Sequence, residues 1–211
     1  MNSSIERNPV ILIHGIWDTK TIFNKMSGHL TQLGWSVHSL NLLPNDGSLG
    51  LDLLAQQLAD YISQTFHPEQ SIDLVGYSMG GIVSRYYVQR LGGINRVQRF
   101  ITISSPHNGT LTAYCLHLPG YLHMRPNSGL LRDLNQDVTM LKRLNFTSMW
   151  TPFDVMILPA NSSRMPVGKE VKLNVLLHRQ MVTDDRSLNA LVEELEAPIL
   201  QSKLPLKNHP Y

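Results

Sequence analysis

Apolar residues fall along the chain in short blocks that switch between two spacings. Val10-Ile11-Leu12-Ile13, opened by Pro9 and closed by His14-Gly15, is apolar on both faces, which predicts a buried parallel strand. Ile22, Phe23, Met26, Leu30 and Leu33 then recur at three- and four-residue steps up to Gly34, predicting a helix that Asp18 caps. Trp35 to Leu42 alternates loosely and predicts a second strand. Leu54, Leu58, Tyr61 and Ile62 share one face of a helix over 51–66, with Pro68 just beyond. Ile72 to Gly76 predicts a third strand, running into a helix from Met79 to about Leu91 that Gly92-Gly93 ends. Phe100 to Ile103 predicts a fourth, and a long segment separates it from the next strand-like run, Ser148 to Trp150. Val171 to Leu177 predicts the last strand and Ser187 to Leu195 the last helix. Alternating strands and helices predict an α/β fold: a mostly parallel sheet of about six strands with helices on both faces. No linker, repeat or low-complexity tract splits the chain, so residues 1–211 read as a single domain with its core over about 9–195.

Composition narrows the classes. The 211 residues are 42% hydrophobic and 16% charged, below the roughly 25% charged of average proteins, which excludes a highly charged disordered chain. A formal net charge of +2 gives no electrostatic case for nucleic acid. The lone Cys115 cannot form an internal disulfide, which fits a reducing compartment or a fold indifferent to redox state. No run reaches the roughly 18 apolar residues of a membrane span, and Met1 to Arg7 offers no apolar signal core. A cytoplasmic monomer is expected.

Candidate chemistry centres on Gly76-Tyr77-Ser78-Met79-Gly80, followed by Gly81. The G-x-S-x-G motif sits where a predicted strand turns into a predicted helix, as a nucleophile elbow requires. Its small residues leave room for a serine on a strained turn, and the helix behind it aims free N–H groups at the reacting centre. A serine hydroxyl needs a base; His178, after the last apolar run, is expected at the same sheet edge. Hydrolases of this architecture run in the order Ser…Asp/Glu…His. Asp154, after the Ser148–Trp150 run, fits as the orienting acid. Asp133 and Asp137 are expected on a solvated helical face, while Asp184 and Asp185 follow the histidine and are expected to cap the last helix. Backbone N–H groups of Ile16 and Met79 are the candidate oxyanion donors, with Gly15 permitting close approach. His14 is given a structural role, and His107 is the competitor for the base. No metal-ligand spacing, phosphate loop or dinucleotide fingerprint occurs, so no metal or cofactor is expected.

These motifs resemble the α/β-hydrolase superfamily. More narrowly, Val10 to Trp17, Val75 to Gly81 and Ile103 to Thr110 are similar to stretches of small bacterial class 2 lipases and esterases of the subtilis lipase A type. The resemblance covers about 9–195 and is strongest over 9–110. It implies an α/β-hydrolase fold and hydrolysis of carboxylic esters of acyl lipids through an acyl-enzyme, carrying Ser78 onto the nucleophile, Asp154 onto the acid and His178 onto the base. Two alternatives stay open: an acyltransferase or thioesterase with the same triad, or a non-catalytic lipid- or small-ligand-binding module of the same fold.

The segment 110–145 is longer than in the minimal lipases and is expected to cap the site. Its apolar first half, together with Trp17, supplies the candidate substrate residues Trp17, Leu111, Leu116 and Tyr121; its second half reads equally well as a helix packing on the sheet. From Leu74 to Arg132 there is no Asp or Glu, but there are Arg85, Arg90, Arg96, Arg99, Arg125 and Arg132. Solvated arginines on different faces are the expectation; on one face they would attract an anionic membrane surface peripherally.

Overall fold

The protein, as a computed structural model, is described here over residues 7–200; the apolar-signal reading of Met1 to Glu6 lies outside them. Six parallel strands, β1 (Val10–Ile13), β2 (Val37–Ser39), β3 (Ile72–Tyr77), β4 (Val97–Ile103), β5 (Asn145–Trp150) and β6 (Lys169–Lys172), form one sheet in the order β2-β1-β3-β4-β5-β6. The helices are α1 (Asn24–Gln32), α2 (Leu51–Thr65), α3 (Met79–Arg90), α4 (Pro119–Met124), α5 (Gly129–Gln136) and α6 (Asp185–Glu196). The expected α/β architecture is the one observed.

The period of a strand explains the two cores. Ile11, Ile13 and Leu74 point to one face, where they pack with Leu54, Leu58 and Ile82 of α2 and α3. Val10, Leu12 and Val75 point to the other, against Met26, Leu30, Leu188 and Leu191 of α1 and α6. Strands apolar on both sides are what a sheet covered on both faces demands. The chain leaves β1 in one direction, to β2, and later continues from β3 in the other. Crevices at such a reversal lie outside the carboxyl ends of the strands, and here that point falls between β1 and β3.

Several boundaries differ from expectation. The last strand is Lys169–Lys172, not 171–177: three of its four residues are charged and exposed, as suits an edge strand, with Val171 half-buried between them. Leu173 and Val175 follow it as a packed loop. The second strand shrinks to Val37–Ser39, since the chain then bends so that the Leu42 N–H donates to His14 Nε2 at 2.9 Å. Asp18 caps nothing. The turn 20–23 begins at Thr19 and precedes α1, while the Asp18 carboxylate pairs with Arg179 at 3.5 Å. Asp184 does cap α6, accepting from the Arg186 N–H at 2.9 Å.

The six arginines do not share a face. Arg85 is fully buried, bonded to Gln89 Oε1, the Leu134 carbonyl and Asn135 Oδ1. Arg90 takes both Asp133 and Asp137 at 2.8 Å, so those two carboxylates are ion-paired rather than merely solvated. Arg99 pairs with Asp73, while Arg96 and Arg125 donate to backbone carbonyls. In the long segment, Leu131, Leu134, Leu141 and Leu144 are buried in the core, so its second half packs inward, α5 against α3 and α4 and the turn 138–143 against β5, whereas Leu111 and Leu116 in the first half are exposed.

Candidate active site

Ser78 follows β3 directly and opens α3 with φ 54° and ψ −125°, a conformation that L residues seldom adopt. The turn closes because its neighbours lack side chains. A Cβ at Gly76 would lie 2.5 Å from the Gly81 Cα, and one at Gly80 would run into the Ile13 and His14 carbonyls. The Ser78 N–H donates to the Ile103 carbonyl at 2.9 Å, locking the elbow to β4.

The loop after β1 lies alongside. A Cβ on Gly15 would stand 3.0 Å from the Ser78 Cβ and 3.5 Å from its Oγ, so a larger residue there would have to push the serine aside by a few tenths of an ångström. His14 is buried with its ring in a fixed tautomer. Its Nε2 accepts from the Leu42 N–H, so the proton sits on Nδ1 and is donated to the Gly15 carbonyl at 2.8 Å. Burial lowers its pKa despite the Gly15 carbonyl and Asp18, and the ring stays neutral. The Trp17 N–H donates to the Asn45 carbonyl at 2.8 Å, holding the loop in place. The N–H groups of Ile16 and Met79 and the Ser78 hydroxyl bond to no described residue.

Asp154 and His178, far apart in sequence, meet at this edge: His178 Nδ1 lies 2.7 Å from Asp154 Oδ2. The other oxygen, Oδ1, accepts the N–H groups of Met156 and Ile157 at 2.9 Å each. Burial pushes the Asp154 carboxyl up, but the His178 bond, the His178 charge and those two N–H groups outweigh it, and the net direction is down. A carboxylate so held is an acceptor, which places the histidine proton on Nδ1 and leaves Nε2 free to accept one. The ring of His178 lies 5.0 Å from that of Tyr77, the residue before Ser78.

His178 does not leave the end of a strand, as expected, but starts a short turn, 178–182, with five residues between it and β6. Two contacts that sequence reasoning missed position that turn. Thr151 Oγ donates to the Val175 carbonyl at 2.6 Å, tying the loop of Asp154 to the loop of His178. The Asp18–Arg179 pair ties the β1 loop to the residue after His178. The only signal for the second was an acid and a base beside candidate residues. The competitor, His107, is fully buried, bonded through Nε2 to Thr102 Oγ at 2.9 Å, and burial with the Arg85 charge keeps it neutral. It does not reach the site mouth.

Of the candidate substrate residues, Trp17 is exposed and donates from its indole N–H to the Tyr121 hydroxyl at 2.8 Å. Leu111 and Leu116 are exposed on the segment after β4. Among the described residues, no three His, Cys, Asp or Glu form a group able to hold a metal ion, and no helix is long and apolar enough to cross a membrane.

Comparison with known proteins fits this geometry. Residues 9–153 match the family model of palmitoyl protein thioesterase. Over 120 residues, 54% of this chain, the sequence is 29% identical to the lysosomal thioesterase PPT2 homolog of Drosophila melanogaster, and the match spans only 41% of that relative's length. The fold is similar to that of Bacillus licheniformis lipase BlEst2 in mature form, with TM-score 0.74 and 14% identity, covering 90% of this chain and 92% of that one. It is similar too to Aspergillus fumigatus lipase B, with TM-score 0.76 and 16% identity, covering 92% of this chain and 53% of that one. Both likenesses are of fold, and the superfamily expected from the elbow is the one observed.

Proposed function

This chain belongs to the palmitoyl protein thioesterase family, and on that premise we propose that it is a serine hydrolase cleaving acyl esters through an acyl-enzyme, with long-chain acyl thioesters as its preferred substrates. The observation that carries the reading is the 2.7 Å Asp154–His178 bond on loops flanking the strained Ser78 elbow.

Each step follows from the groups in place. His178 Nε2 takes the Ser78 proton as Oγ attacks the carbonyl carbon, and Asp154 steadies the imidazolium that forms. The carbonyl oxygen becomes an oxyanion, held by the Ile16 and Met79 N–H groups, which have no acceptor of their own among the described residues. Collapse breaks the bond to the leaving group, and the thiol or alcohol departs with the proton from Nε2. Water then attacks the acyl-enzyme, gives one proton to Nε2, and the free acid leaves as Ser78 regains its hydrogen. A thiolate leaves more readily than an alkoxide, so the same groups turn over thioesters with less demand on His178 as an acid.

A panel pairing palmitoyl thioesters with p-nitrophenyl esters tests the reading. Ser78→Ala is expected to remove at least about 10⁴-fold of kcat on both without loss of folding, and a fluorophosphonate probe is expected to label Ser78 alone. Turnover that survives the substitution overturns the reading. Turnover that favours oxygen esters replaces its thioester part with the lipase alternative, and acyl transfer to added alcohol in preference to water makes the enzyme an acyltransferase. Ligand binding without labelling makes it a binding module.

A further inference from the structure

We propose that Asp18 is a positioning residue for the hydrolysis described above, fixing the loop that carries Ile16 through its backbone and supporting His178 through its carboxylate. Both of its backbone groups are engaged. The N–H donates to the Gly15 carbonyl at 3.3 Å, closing the turn 15–18 around Ile16, and the carbonyl accepts from Asn45 Nδ2 at 2.7 Å. The Asp18 side chain is 15% exposed and is turned to the base loop, with Oδ1 3.5 Å from Arg179 Nη2. Arg179 directly follows His178, and its side chain is 75% exposed. An ion pair with one member so exposed ties two loops only weakly; what it sets beside the base is charge.

The neighbours of Asp18 locate that charge. Tyr77 packs its ring 5.0 Å from that of His178, and its hydroxyl is pushed up by burial first, then by the charges of Asp18 and Asp154, with Arg179 opposing. Burial pushes the Asp18 carboxyl up as well, against the pull of Arg179, His14 and His178. The His178 ring thus meets Asp154 from the β5 loop, Asp18 from the β1 loop, Tyr77 from the end of β3 and Arg179 from its own turn. A carboxylate close to an imidazole favours the protonated ring, the form His178 takes once it has accepted the Ser78 proton. The same carboxylate opposes an oxyanion forming at the Ile16 N–H, two residues away along the chain. Arg179 is the cation that offsets this repulsion.

This inference rests on the hydrolase reading, and pH dependence separates it from a mere tether. With p-nitrophenyl acetate, Asp18→Asn is expected to lower kcat/KM about tenfold. It should also move the acidic limb of the kcat/KM profile down by about half a pH unit, because the base loses a favourable charge. Asp18→Glu keeps the charge and is expected to hold that limb within about 0.2 pH unit of the parent. Arg179→Met should lower kcat/KM too, yet move the limb up by about half a pH unit, since Asp18 is then unopposed. A structural tether, broken from either side, lowers activity and leaves the limb in place. A limb unmoved in Asp18→Asn, or moved equally in Asp18→Glu, overturns the proposal. Should Asp18→Asn unfold in a thermal melt, Arg179→Met at its exposed side chain still reads the sign, and no upward movement overturns the proposal. NMR titration of the His178 ring in the same variants reads the same movements without turnover. A parent that hydrolyses no ester therefore sinks the hydrolase reading, while the ring titration still decides whether Asp18 acts on His178.

Discussion

At the amino edge of the sheet Asp73 is enclosed and both its oxygens are engaged, Oδ1 by Asn8 Nδ2 at 2.9 Å and the Arg99 N–H at 3.1 Å, Oδ2 by Arg99 Nη1 at 3.1 Å. Glu194, nearby on α6, is held by Thr147 Oγ at 2.8 Å and by Lys169. At the carboxyl edge the Ser78 hydroxyl and the N–H groups of Ile16 and Met79 have no partner among the described residues. The non-glycine residues with positive φ among the described residues, Trp17, Ser78, Ser104 and Asn127, all lie on segments leaving that edge. At the amino edge these two buried carboxylates are satisfied; the carboxyl edge holds donors and backbone strain open. Strain of about 1–3 kcal/mol per residue persists only where the surroundings over-determine it, and here the two packed cores and the closed amino edge supply that constraint.

Three substitutions test this division, in falling order of expected effect. Asp154→Asn is expected to lower kcat by about 10³–10⁴-fold, because an amide can present its NH₂ to His178 and favour the wrong tautomer; stability should change far less, and steady-state kinetics beside a thermal melt would read both. Arg99→Leu should do the opposite. Leaving Asp73 buried without its cation is expected to cost about 3 kcal/mol by urea unfolding, with kcat per folded molecule unchanged; a comparable loss of kcat would mean the two edges are coupled. Ser78→Gly should raise stability by about 1 kcal/mol by removing a side chain from a strained φ while abolishing turnover. No gain in the melt would show that the elbow stores no strain.

The G-x-S-x-G elbow was legible because its requirement is local: small residues next to a serine between a strand and a helix. Chain order only nominated Asp154 and His178 as candidates, and the reason given for the position of His178 was incorrect. The apolar run that pointed to it is a packed loop, and the true edge strand, Lys169–Lys172, carries polar residues that no apolar pattern reveals. Asp18 shows a similar limit. An aspartate before a helical pattern reads as a cap, and only the fold brings Arg179 to it. Arg90 and its partners Asp133 and Asp137 belong to α3 and to α5 with the residue after it, so no local spacing could pair them.

By itself the sequence determined the alternating strands and helices, the two-faced burial of the central strands and the position of the strained serine. These follow from side-chain period and backbone sterics over a few neighbouring residues. Tertiary structure alone decided that Asp154 meets His178 and that Arg85, Arg90 and Arg99 are each tied to partners on other elements. Each of those depends on distances between segments far apart in the chain, which no local pattern encodes.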